Sequence, residues 1–99
     1  MAKFEKVAGS KGLYSFWCSG CQCAHQVWTK NEGYPHPVWE FNGNTEKPTI
    51  SPSIKVEHPI NDKLEICHSF IRDGKIEYLS DCTHILAGKT VEMADLNDV

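Results

Sequence analysis

A chain of 99 residues has room for one domain, expected here to span residues 1–99. Its composition, 40% hydrophobic and 23% charged, is that of an ordinary folded protein and excludes a disordered chain. The formal net charge is −3 with Lys and Arg spread thinly, so no dense basic block exists to neutralise a phosphate backbone.

The N-terminus, Met1-Ala2-Lys3-Phe4-Glu5-Lys6, has no apolar run behind its charges. Neither a signal peptide nor a membrane span is expected, which points to the cytoplasm. In that reducing compartment five cysteines read as metal ligands or reactive thiols rather than disulfides, and the odd count agrees. Residues 1–12 carry Gly9, Ser10 and Gly12 without a clear period and read as a weakly ordered lead-in.

Leu13 to Trp17 is apolar and aromatic and reads as a strand that delivers the chain to Cys18. Cys18-Ser19-Gly20-Cys21 is the spacing with which a small turn presents two thiolates to one zinc ion. His25 to Thr29 reads as the return strand, so strand, cysteine turn and strand form a zinc knuckle. Asn31, Gly33, Pro35 and Pro37 mark residues 30–37 as loop. Val38 to Phe41 is a short strand, and Asn42-Gly43 is a strong signal for a two-residue hairpin turn. Thr49 to Val56 alternates apolar and polar residues, with Pro52 making it an edge or bulged strand.

Leu64–Arg72, Asp73-Gly74 and Lys75–Asp81 form a strand–turn–strand pattern. If Asp73-Gly74 is a two-residue turn, Arg72 pairs with Lys75. Alternation then puts Cys67 on one face with Ile71, Ile76 and Tyr78, opposite Ser80 and diagonal to Cys82. His68 points the other way with Phe70. A one-residue slip would exchange the two faces. Thr83 to Gly88 fits a single helical turn closed by glycine, and Lys89 to Met93 a last strand. Residues 94–99 are polar and read as a frayed end. The fold class expected is all-β, a small antiparallel sandwich or barrel-like meander with a zinc knuckle and little helix.

The candidate ligands for Zn²⁺ are Cys18, Cys21, Cys67 and Cys82. His84 rivals for the fourth position, and His68 and His25 are further rivals or outer partners that hydrogen-bond the ligands. Cys23 reads as a spare thiol, and His36 and His58 as exposed loop residues. A closed four-cysteine site is structural, so no catalytic residue is assigned. Two options remain for chemistry. One is an open zinc with water and Asp81 as base; the other is a thiol nucleophile beside His84. The plainer reading of Asp81 is a turn cap at Thr83-His84. Trp17, Trp28, Trp39, Phe16, Phe41 and Tyr34 read mainly as core.

Several stretches together resemble one family. They are Phe16–Cys21 with His25, Trp39–Asn44, Pro48–Ile54, Cys67–Ile76 and Asp81–Gly88. The family comprises small phage and prophage proteins, a domain of unknown function of which some members are labelled ammonia monooxygenase or anaerobic dehydrogenase. This chain has Ser19 where that family usually has proline. The resemblance implies a phage-type accessory protein in the bacterial cytoplasm, with the cysteines and His25, His68 and His84 in one site. It names no activity.

The function expected from these readings is a zinc-stabilised module that binds a host or phage protein, rather than an enzyme. The alternatives are a zinc-dependent hydrolase with an open coordination position and a nucleic-acid-binding zinc ribbon. Nucleic acid is not expected as a partner, because the aromatics lack interleaved arginine and lysine.

Overall fold

The structure is a computed structural model and describes residues 2–31, 33 and 35–99. Tyr34, counted above among the aromatics, lies outside the described residues. The chain is all-β, built from two antiparallel sheets. The smaller has the order β1 (Glu5–Lys6), β2 (Leu13–Cys18), β3 (Cys23–Trp28). The larger runs β4 (Glu40–Phe41), β5 (Ile50–Ile60), β6 (Lys63–Arg72), β7 (Lys75–Tyr78), β8 (Thr90–Glu92). The helical element among the described residues is a 3-10 turn at Leu96–Asp98. Within each sheet every strand pairs with its neighbour in sequence, which is what short loops between β-prone runs favour.

The large sheet is anchored by two hairpins. Asp73 and Gly74 both have positive φ (49° and 76°), and Arg72 pairs with Lys75, as a two-residue turn requires. At Gly74 a β-carbon would stand 3.2 Å from the Cα of Lys47, so the position also admits close backbone approach. Asn61 and Asp62 make the equivalent turn between β5 and β6, with φ of 51° and 66° and Ile60 paired with Lys63. The Asn42-Gly43 signal does not become a two-residue turn. Phe41 pairs with Ile50, so residues 42–49 form a longer loop. The Asn44 carboxamide oxygen accepts the Glu46 and Lys47 amides at 2.9 and 3.0 Å and so takes over the turning.

The core lies between the sheets. Phe4, Phe16 and Val27 pack against Ile50, Ile54, Ile71, Ile76 and Met93, all buried. Burying each such side chain contributes about 1.5–3 kcal/mol. The lead-in supplies Phe4, whose ring is fully buried and stacks on Tyr14 at 4.7 Å. The segment after β8 is also tied down, the Leu96 amide donating to the Ala2 carbonyl at 2.9 Å.

One irregularity positions the site. Between Ile50 and Ile54 the register of β5 against β6 shifts, since their partners Ile71 and Ser69 are only two residues apart. The intervening Ser51-Pro52-Ser53 bulges, as a proline inside a strand demands. The Trp39 indole N–H donates to the Ser53 carbonyl at 3.2 Å and fixes the bulge. Past Ser51, β5 has β6 as its one neighbour among the described residues.

Candidate functional site

The knuckle between β2 and β3 and the inner face of β6 bring three thiols together. Cys18, Cys21 and Cys67 converge with His84, their ligand atoms all within 4.8 Å of one another. The Cys18 and Cys67 sulfurs are 3.7 Å apart, and all five cysteines are free. A disulfide needs a sulfur separation of about 2.05 Å. Two sulfurs each about 2.3 Å from a tetrahedral zinc stand about 3.8 Å apart. The observed spacing therefore fits a shared cation. The Cys21 amide donates to the Cys18 sulfur at 3.3 Å, and the Tyr78 hydroxyl lies 3.3 Å from the same atom.

His84 enters over Gly20. A β-carbon there would overlap the imidazole, so the Cys18-Ser19-Gly20-Cys21 turn needs glycine to admit its fourth partner. The Tyr78 ring meets His84 edge-on at 4.6 Å. The Nε2 atom of His84 is buried without a hydrogen-bond partner, while Nδ1 lies 3.2 Å from the Leu86 amide. An amide can only donate, so Nδ1 accepts from Leu86 and the neutral ring carries its proton on Nε2; that buried atom could ligate a cation only in the other tautomer, with the Leu86 contact given up.

The protonation of the thiols points the same way as their spacing. Hydrogen bonds from Cys67, then from His25, Tyr78 and the Cys21 amide, pull the Cys18 thiol down to about 3 against the cost of burial. Burial pushes Cys21 up to about 12, with the Cys18 charge adding to it. Cys67 is pushed up by its hydrogen bond to Cys18 and by burial. Metal-free, the pocket thus holds one thiolate and resists more. A divalent cation reverses that preference, because it repays the charge of each thiolate it binds.

The other candidates stand apart from this cluster. Cys82 does not join it. β7 ends at Tyr78, so strand parity does not reach Cys82, which is buried in the core but outside the group of Cys18, Cys21, Cys67 and His84. Its sulfur lies 3.2 Å from both the amide and the carbonyl of His68. His25 is buried outside the cluster, with its Nε2 also lacking a hydrogen-bond partner. Cys23 is exposed at the start of β3. His36 stacks on Trp28 at 4.4 Å, and His58 lines a concavity beside Cys21 and His84.

His68 faces the opposite side of the large sheet, and there it makes a second constellation. Its Nε2 is 3.0 Å from the Ser53 hydroxyl, and its Nδ1 is 3.1 Å from the Asp81 carboxylate. An ionised carboxylate can only accept, so Nδ1 carries the proton and donates to Asp81. In neutral imidazole Nε2 then accepts, and Ser53 donates to it. Hydroxyl, imidazole and carboxylate stand in a line, in the order that activates a serine for attack on a carbonyl. Asp81 came up in the sequence as a base for metal-bound water; it faces the imidazole instead. Ser53 had no sequence signal, since a serine after proline in an alternating strand reads as a surface residue. Alternation puts it, next to inward-facing Ile54, on the outer face with His68.

A family model described as "Bacterial ubiquitination-like system serine protease (BubE)" matches residues 3–79, and the chain belongs to that family. The match names a bacterial system rather than a phage. It contains Ser53 and His68 and the three thiols of the cluster, while Asp81 and His84 follow it. No curated protein and no solved structure matches the chain. No helix among the described residues is long and apolar enough to cross a membrane.

Proposed function

We propose that this protein is a serine protease of a bacterial ubiquitination-like system, with Ser53 as nucleophile, His68 as general base and acid, and Asp81 as the group that orients His68. The observation that carries this reading is the hydrogen-bonded line from Ser53 through both nitrogens of His68 to Asp81, at 3.0 and 3.1 Å. Ser53 Oγ attacks the scissile carbonyl carbon while His68 Nε2 takes its proton. The tetrahedral adduct collapses, His68 returns the proton to the leaving amine, and an acyl ester remains on Ser53. Water, deprotonated by His68, then cleaves the ester and releases the acid. Asp81 holds the proton on Nδ1 throughout and stabilises the imidazolium.

The cation suited to three thiols and an imidazole is Zn²⁺. Four protein ligands close its coordination shell, so its part is structural and the zinc hydrolase reading falls behind. Structural zinc of this kind contributes roughly 10–16 kcal/mol to folding. The partner is a protein of the same system, presenting an extended peptide or isopeptide bond. Five free cysteines suit a reducing bacterial cytoplasm.

A fluorophosphonate probe tests the nucleophile. It reacts with activated serines, and mass spectrometry should find the adduct on Ser53. Ser53→Ala should abolish both labelling and peptide cleavage, with stability changed by less than about 0.5 kcal/mol, as for substitutions away from the core. Unchanged cleavage by Ser53→Ala would remove the proposal.

A further inference from the structure

The segment between β7 and β8 serves both constellations at once. The Leu79 amide donates to the His68 carbonyl at 2.9 Å. The Cys82 thiol takes the His68 amide and gives its own proton to the His68 carbonyl, both at 3.2 Å. Thr83 and Ile66 exchange hydrogen bonds, amide to carbonyl at 2.9 Å and amide to Oγ1 at 3.0 Å. The next residue, His84, belongs to the metal cluster. Asp81 is therefore carried on a short length of chain that is held to β6 and ends at the cation site. Its own side chain is 45% exposed, and an exposed ion pair does little to hold geometry by itself. A catalytic constellation needs placement to within about 0.5 Å. The anchors of the segment must supply that placement.

We propose that Cys82 and His84 are positioning residues for the triad. Cys82 ties the segment to the backbone of His68, and the metal, through His84, fixes its far end. Ion occupancy then sets the contact between Asp81 and His68, although the ion touches no reacting atom. The inference rests on the assignment of Ser53, His68 and Asp81 as the catalytic groups. It makes this a metal-dependent serine protease whose dependence acts entirely through positioning.

The test uses the full chain loaded with Zn²⁺, with metal content checked for each variant. Readouts are the rate of fluorophosphonate labelling at Ser53, kcat and KM on a peptide substrate, and the imidazole proton signal of His68 by NMR. Cys82→Ala should keep its zinc, lose at least about 10-fold in labelling and kcat with KM unchanged, and lose the Nδ1–H signal shared with Asp81, since a catalytic group displaced by about 1 Å costs up to about 100-fold. Cys82→Ser, which can make the same two hydrogen bonds, should restore the rate. Should Cys82→Ala fail to fold, Cys82→Val refills the volume without a donor and should show the same loss. His84→Ala retains three thiolates and should lose rate likewise, with His84→Cys restoring it. Folded variants that label at the wild-type rate would overturn the positioning role while leaving the nucleophile intact. Wild-type protein that never labels at Ser53 would overturn both.

Discussion

Cys67 and His68 stand back to back on β6. The sulfur of Cys67 faces inward, 3.7 Å from that of Cys18, while the imidazole of His68 faces outward, 3.0 Å from the Ser53 hydroxyl. Alternation along a strand makes this arrangement obligatory for neighbouring residues. One strand therefore carries a thiol of the cation cluster and the imidazole of the proposed triad, with no atoms shared between their sites.

Asp81→Asn isolates the orienting role. An amide can donate to Nδ1, which would move the imidazole proton to Nε2 and leave nothing to accept from Ser53. The fold should persist and kcat should fall by roughly 10⁴, the cost of holding a triad histidine in the wrong tautomer. A pH–rate profile with stopped-flow or discontinuous assay checks it. A loss below tenfold would mean Asp81 does not select the tautomer.

Metal binding should release protons. Cys18 is already ionised near neutrality, whereas Cys21 and Cys67 are held protonated by burial and by the Cys18 charge. Loading with Zn²⁺ at pH 7 should displace about two protons, and apparent affinity should rise with pH and weaken as pH falls. Calorimetry in buffers of different ionisation enthalpy measures the number. A strong chelator should lower thermal stability and broaden the unfolding transition.

Gly20→Ala should separate the metal site from the rest of the fold. The new methyl overlaps the His84 ring, so the ring must leave the cluster or the knuckle must shift. Zinc affinity should drop by an order of magnitude or more, comparable to loss of a supporting contact at about 10–100-fold. Wild-type affinity in this variant would mean that His84 does not enter over Gly20.

Phe4→Ala should destabilise the domain by about 3–5 kcal/mol, the range for deleting a fully buried phenylalanine. Phe4 is 0% exposed and stacks on Tyr14. Urea unfolding of the zinc-loaded protein gives the value. A cost near zero would place the first residues outside the cooperative core.

The features legible in the sequence were those set by local chemistry. Asp73-Gly74 fixed the register of β6 and β7 because a two-residue turn leaves one pairing, and that register put Cys67 inward and His68 outward. Pro52 left an edge strand or a bulge open, and β5 bulges there. Phe4 could not be read, because a single aromatic among glycines and charges has no period and is buried only by strands far along the chain. The Asn61-Asp62 turn was missed for lack of the glycine that usually flags it. His84 displaced Cys82 from the cluster because β7 stops at Tyr78, and alternation carries no information past a strand end. Ser53, His68 and Asp81 lie on three segments joined by tertiary pairing alone; each falls within a stretch that carries the family resemblance, but none of those stretches marks a nucleophile or a base.

The single-neighbour stretch of β5 has a consequence for what reaches Ser53. From the bulge to the Asn61-Asp62 turn, its outer rim offers main-chain amides and carbonyls that no other described strand occupies. Under the proposed protease reading, a substrate tail in extended form would add there as one more strand, read through its backbone rather than its side chains. Selection would then favour any flexible terminus slender enough to lie flat beside the sheet, and would be nearly blind to which amino acids compose it.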